Sequence, residues 1–262
     1  MPHRPRPAAF FDLDKTVIAG SSSLALSRPF YDGGLLTRGA AVRGLYAQLG
    51  YLSFGAGHDR TERMKDRLAQ LTRGWDVART EAVVAAAVEE HVRPVVYREA
   101  LDLIAAHHAA GEDVVVVSAS SESVVRPIAE LIGADHVIAT RPVVAEGRYT
   151  GALEFYAYGP TKATAIRKLA RERGYDLTAS HAYSDSHTDL PMLEAVGHPV
   201  AVNPDRALRR HARARGWEVR DFTRPVPVRS RRRPPAVVVG LALAVATAVG
   251  WRLARPRAPR TA

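Results

Sequence analysis

The 262 residues suffice for one sizeable domain with an insertion or for two small ones, and a 47% hydrophobic content allows a large core. A formal charge of +10 would suit a nucleic-acid binder, but 206–262 hold 15 Arg against two acids, Glu218 and Asp221; of 37 basic and 27 acidic side chains this leaves 22 and 25 for 1–205, a net −3. Nucleic acid is therefore not the expected partner of the main body, and the lack of cysteine excludes disulfides and thiolate metal sites.

In chain order, the N-terminus MPHRPRPAAFF has no apolar stretch of signal-peptide length, which predicts a catalytic part in the cytoplasm. Ala8 to Phe11 form a short apolar run, predicted to be a strand covered on both faces, and it stops at Asp12. Alternation along an extended chain lets Asp12 and Asp14 point the same way. Two like charges that close call for a cation or a shared proton. Residues 20–95 read as a mostly helical insertion, broken at Gly33 and Gly34 and again at Gly55 and Gly57. Within it, RTERMKDR reads as a solvated helix face, with Arg60, Arg63 or Lys65 reaching a substrate anion as the alternative.

A helix is expected from Tyr97 to Ala110, with His107 and His108 read as exposed helix residues rather than metal ligands. Four valines, Val114 to Val117, then predict a strand delivering Ser118, followed by a helix from Glu122 to Ile132 closed by Gly133. Amides at such a helix start, with the Ser118 hydroxyl and the neighbouring Ala119, suit phosphate oxygens. Two extended segments around Glu146 and Gly147 predict a hairpin. Lys162 opens the next helix, His181 to Ser184 form a strand ending in Asp185, and Asp189 follows one helical turn later. A strand at Val200 to Val202 and the turn 203–205 are expected to close the domain. Beyond it, 206–235 read as a basic Pro/Arg-rich linker, 236–251 (AVVVGLALAVATAVGW) as a hydrophobic membrane-spanning helix, and 252–262 as a basic tail.

The order of FFDLDKTV, VVVVSAS, GPTKATAI and YSDSHTDLPML resembles the haloacid-dehalogenase-like phosphatase superfamily, in its phosphoserine-phosphatase-like branch, over about residues 8–205. The resemblance implies an α/β fold: a doubly wound parallel sheet of Rossmann-like form, made of 1–19 and 96–205, with 20–95 as a helical cap over the site. It further implies that Asp12 is the nucleophile and Asp14 the general acid and base. Ser118, Ala119 and Lys162 would hold the substrate phosphate, and Asp12, Asp14 and Asp185 a magnesium ion, with Asp189 supporting the metal or the lysine. Ser186 and Thr188 stand where many relatives have glycine and asparagine. The acid at Asp14 points to phosphate transfer rather than to carbon–halogen cleavage.

The function so implied is magnesium-dependent hydrolysis of a small-molecule phosphomonoester, a lipid phosphate included, by an enzyme tethered to the cytoplasmic membrane. Phosphoserine-specific relatives hold their amino acid with a glutamate where this chain has Ser21, which argues against that substrate. The alternative is a catalytically idle, membrane-tethered binding or regulatory protein on the same fold.

Overall fold

The structure, a computed structural model, describes residues 5–36 and 70–226. Seven strands form one sheet in the order β4-β3-β2-β1-β5-β6-β7. They are β1 (Ala8–Asp12), β2 (Asp113–Ser121), β3 (His136–Ala145), β4 (Arg148–Phe155), β5 (His181–Ser184), β6 (His198–Val202) and β7 (Glu218–Arg220). Every pairing is parallel except that of β3 with β4, the expected hairpin at the sheet's edge.

Central β1 is buried along all five residues, because β2 and β5 flank it and helices cover both faces. Alternation sorts its side chains. Ala9 and Phe11 join a core with α3 (Val77–Ala87), α4 (Arg98–Ala109) and α5 (Glu122–Ile132). Ala8 and Phe10 join another with α6 (Pro160–Arg173), α7 (Leu190–Leu193) and α8 (Arg206–Arg215). Both-face burial explains why these strands read as unbroken apolar runs. Gly133 ends α5 at φ 80°, a left-handed value that glycine adopts without a Cβ clash.

The inserted region contributes α1 (Ser22–Ala25), α2 (Ser27–Asp32) and α3, the last continuing through a π-type turn at Val88–Val92 and a 3-10 turn at Arg93–Val95. Val84, Ala87, Val88 and Val92 share the core of Phe11, so this part of the insertion is packed directly on the sheet. Its approach to α3 also lies along β4: Gly74 donates to the Tyr149 carbonyl (2.8 Å), Tyr149 to the Trp75 carbonyl (3.0 Å) and Val77 to the Gly147 carbonyl (2.9 Å). Arg60, Arg63 and Lys65, and the hydrophobic segment 236–251, lie outside the described residues. Among the described residues no helix is long and apolar enough to cross a membrane.

Two expectations are corrected. The linker expected from 206 is instead, as far as Arg220, the helix α8 and the edge strand β7, so the folded body extends past 205. Leu208 and Ala212 are the buried residues of α8, Asp205 caps it through the amides of Ala207 and Leu208, and Phe222 is buried beyond β7. The other is His107, expected to be exposed. It lies on the inward stripe of α4 with Ala100 and Ile104, whereas His108 is exposed as expected.

Candidate active site

The chain's course across the sheet reverses between β1 and β5, since β2 and β3 lie to one side of β1 and β5 to β7 to the other. In open α/β sheets such a switch point leaves a crevice beyond the strands' carboxyl ends, where ligands bind. Asp12 ends β1 and Asp185 follows β5, so both face this crevice. Beyond Asp12 the chain turns sharply: the amides of Val17 and Ile18 donate to the Leu13 carbonyl (2.9 and 3.1 Å), and Lys15 takes a φ of 61°.

Lys162, in the first turn of α6, is 3% exposed. Its ammonium donates to Asp12 Oδ1 at 2.7 Å and to Asp189 Oδ2 at 2.8 Å. The Ser184 hydroxyl also donates to Asp189 Oδ2, at 2.8 Å. Asp189 is thus placed to hold the lysine. Flanked by two carboxylates, Lys162 keeps its proton despite burial, its affinity for it raised above the usual range. Burial pushes the Asp12 carboxyl upward and the lysine pulls it back. Asp12 Oδ2 lacks that ammonium contact and, among the described residues, accepts a long hydrogen bond from the Thr16 hydroxyl at 3.5 Å.

Asp14 Oδ1 accepts the amide of Ser22 at 2.8 Å. Burial raises the Asp14 carboxyl and this amide opposes the rise. The Ser22 hydroxyl lies 3.0 Å from that of Ser120, which links the start of the insertion to the loop after Ser118. There the register of β2 against β3 shifts between Ser118 and Ser121. Ser118 is buried and its hydroxyl accepts the Ser120 amide at 3.2 Å, while the Ala119 carbonyl accepts the Thr140 hydroxyl at 2.7 Å.

Asp185 is 8% exposed, and burial, reinforced by Asp189 and Asp205 against the relief of Lys15, pushes its carboxyl up to about 7. Its carbonyl accepts the Asp205 amide at 2.7 Å. Four carboxylates (Asp12, Asp14, Asp185 and Asp189) therefore gather around one buried ammonium. This set fits a hard divalent cation: all-oxygen donors, with too little positive charge to keep the acids ionised.

The predicted site residues Asp12, Asp14, Ser118, Ala119, Lys162, Asp185 and Asp189 all lie at this end of the sheet. His187 is exposed, and its amide donates to Asp205 Oδ2 at 2.9 Å. Sequence reasoning missed Thr16, Ser22, Ser120, Ser184 and Asp205. Thr16, in DxDxT, and Asp205, a helix-capping aspartate, carried a readable signal. The serines, Ser22 and Ser120 in SSS and SASS runs and Ser184 in HAYSDS, did not.

Residues 9–194 match the family model described as haloacid dehalogenase-like hydrolase. Aligned over 264 positions, the chain is 54% identical to the "Inhibition of morphological differentiation protein" of Streptomyces azureus, covering 97% of this chain and 95% of that one. It is 34% identical over 245 residues to a phosphoserine phosphatase of Mycobacterium tuberculosis, covering 93% of this chain and 78% of that one. A crystal structure of a Bordetella pertussis protein of unknown function shares the fold with a TM-score of 0.72 at 31% identity, covering 84% of this chain and 100% of that one.

Proposed function

The chain belongs to the haloacid dehalogenase-like hydrolases and is a phosphatase of that family, and on that premise we propose that it hydrolyses small-molecule phosphomonoesters through a phosphoryl group carried on Asp12, with magnesium as its metal. The observation that carries this reading is the buried Lys162 bridging Asp12 and Asp189 beside a second acid, Asp14. The lysine occupies Oδ1 of Asp12 and leaves Oδ2 to attack phosphorus. The new bond is Asp12 Oδ2 to phosphorus, and the bond broken joins phosphorus to the ester oxygen. Asp14, whose raised carboxyl favours its protonated form, gives its proton to the leaving oxygen. Once ionised it takes a proton from the water that attacks the phosphoryl group and frees Asp12. Lys162 and the Ser118 hydroxyl are suited to neutralise and orient the phosphoryl oxygens.

Asp12, Asp14 and Asp185 would hold the magnesium ion. When bound, it would supply the positive charge that keeps Asp12 and Asp185 ionised and balances the phosphoryl oxygens, leaving the Asp14 carboxyl free to carry the proton.

The substrate class follows from what surrounds the phosphate. Ser21, at the N-cap of α1, offers a hydroxyl but no charge to an amino acid's ammonium group, so we read phosphoserine as a poor substrate here, although one relative bears that activity in its name. A panel of phosphomonoesters assayed with magnesium and with excess chelator tests the whole reading. Turnover should require magnesium. Rates unchanged in chelator would remove the metal, and phosphoserine as the best substrate would remove the inference from Ser21.

From its composition alone we also read 236–251 as a membrane tether. Its 16 uncharged residues amount to about 24 Å of helix, short against a core of about 30 Å, with arginines on both flanks able to reach the headgroups. Full-length protein should then fractionate with membranes through high-salt washes. Recovery wholly in the soluble fraction would discard the tether and with it the case for a lipid phosphate.

A further inference from the structure

A second group of ligating side chains lies toward the opposite end of the sheet. His107 in the last turn of α4, Glu112 in the turn before β2 and His181 at the start of β5 each bring a donor atom within 4.8 Å of the others. His181 pairs in register with Ala9, three residues before Asp12, which separates this group from the phosphate site by about 10 Å at the rise of an extended strand.

The local chemistry is unusual for a plain core contact. His107 is buried, with Nδ1 2.6 Å from Glu112 Oε2 and Nε2 2.8 Å from the Tyr183 hydroxyl. The His181 ring lies 4.9 Å from that of His107 and 4.7 Å from that of His198. Its Nδ1 is buried with no hydrogen-bond partner among the described residues. A desolvated nitrogen without a partner is costly, and a cation is one way to employ it. Burial, with His107 and His198 nearby, holds the His181 imidazole below its usual range, so it is neutral and keeps a lone pair.

We propose that His107, Glu112 and His181 form a binding site for a divalent transition-metal ion of the zinc type, distinct from the phosphate site. Two imidazoles and one carboxylate suit zinc, whereas magnesium prefers oxygen alone. Three protein ligands leave a position for water. The donors of a tetrahedral zinc stand about 3.3 Å apart, so binding asks for a modest inward turn of Glu112 and His181. Tyr183 completes the arrangement. Without metal, the Nδ1 proton of His107 faces Glu112 and the Tyr183 hydroxyl donates to Nε2. With metal on Nδ1, the ring's one proton sits on Nε2 and is donated to the Tyr183 oxygen, which fixes the ring's tautomer from behind. The ion would tie the end of α4, the turn before β2 and the start of β5 together.

The test is calorimetric titration of zinc into full-length protein that has been stripped of metal and then saturated with magnesium, comparing wild type, H181A, E112Q and D185N. One zinc equivalent should bind wild type and D185N, raising the melting temperature of each. E112Q retains a hydrogen-bond acceptor for His107, and H181A removes a ring whose Nδ1 makes no hydrogen bond, although its stacking on His198 and Tyr183 goes with it. Both should lose at least tenfold in affinity and the thermal shift, with phosphatase turnover unchanged. If H181A fails to fold, E112Q decides. The proposal is overturned if wild type binds no zinc, if both variants bind as wild type does, or if D185N abolishes binding.

Discussion

The amide of Ser22 donates to Asp14 Oδ1 across 2.8 Å, so the first helical residue of the inserted segment opposes the rise that burial imposes on this carboxyl. Ser22 is the first residue of α1, where proline is well tolerated, and Ser21 before it is already extended at φ −97°, ψ 133°. Ser22→Pro therefore removes the amide while sparing the backbone, and Ser22→Ala removes only the hydroxyl. Because both Ser22 groups hold the Asp14 carboxyl down against burial, it should rise further in either variant and most in Ser22→Pro. The limb of the kcat profile that needs ionised Asp14 then moves to higher pH in that order. A Ser22→Pro profile superimposed on wild type would show that the amide does not tune this acid.

Asp12→Asn should abolish turnover and leave the fold intact, since it changes one charge and little volume. Asp14→Asn should lose roughly a hundredfold or more, the usual worth of general acid–base assistance. Acid-quenched protein should carry phosphate on wild type and none on Asp12→Asn. Wild-type-like activity in Asp12→Asn would end the nucleophile assignment.

Asp185 carries the clearest pH signature. Its carboxyl stands at about 7 in the metal-free protein against an ordinary 3.8. The folded state thus binds this proton more tightly than the unfolded state does, and the associated stability is complete below about pH 4 and lost as pH rises through 7. Asp12 and Asp14 are raised too and act in the same direction. Metal-free protein should melt at a lower temperature at pH 8 than at pH 5.5, and saturating magnesium should narrow the gap. Magnesium affinity should fall roughly tenfold per pH unit below 7, because one proton must leave. Thermal melts of Asp185→Asn should show a shallower pH slope. An unchanged slope would mean that other groups carry the effect.

Ending the chain after Asp205 should prevent folding. That cut removes Leu208, Ala212 and Phe222, all buried, together with β7. The two large side chains alone are worth roughly 2 kcal/mol each by area, a substantial share of a typical stability of about 5–15 kcal/mol. A chain ending at Pro227 keeps the whole compact unit and should melt cooperatively. Equal melting of the two would show that α8 and β7 are dispensable.

Asp12 and Ser118 were legible because punctuation marks them: the apolar runs Ala8 to Phe11 and Val114 to Val117 stop there, and a run that ends in a polar residue locates a strand's end without any tertiary knowledge, whereas Asp185 follows only the short mixed stretch His181 to Ser184. The helix α8 was hidden by its own charge. Only Leu208 and Ala212 of its ten residues are buried, and an arginine-rich stretch with so thin an apolar stripe looks like linker. His107 was readable in principle, since it continues the spacing of Ala100 and Ile104. Its polar type outweighed its position. The pairing of Ser22 with Ser120 spans 98 residues and depends on how the insertion folds back over the loop, which no local pattern encodes.

Among the described residues, both margins of the sheet are shortened as places for a further strand. On one side 74–77 already occupies hydrogen-bonding groups of β4; on the other, β7 is three residues long, with Glu218 and Arg220 joined across its outer end at 2.7 Å. An open ladder is a template on which a second chain can grow. Here, among the described residues, 74–77 takes up the start of β4 and β7 stops after three residues, which shortens the seam along which strand-by-strand polymerisation would start.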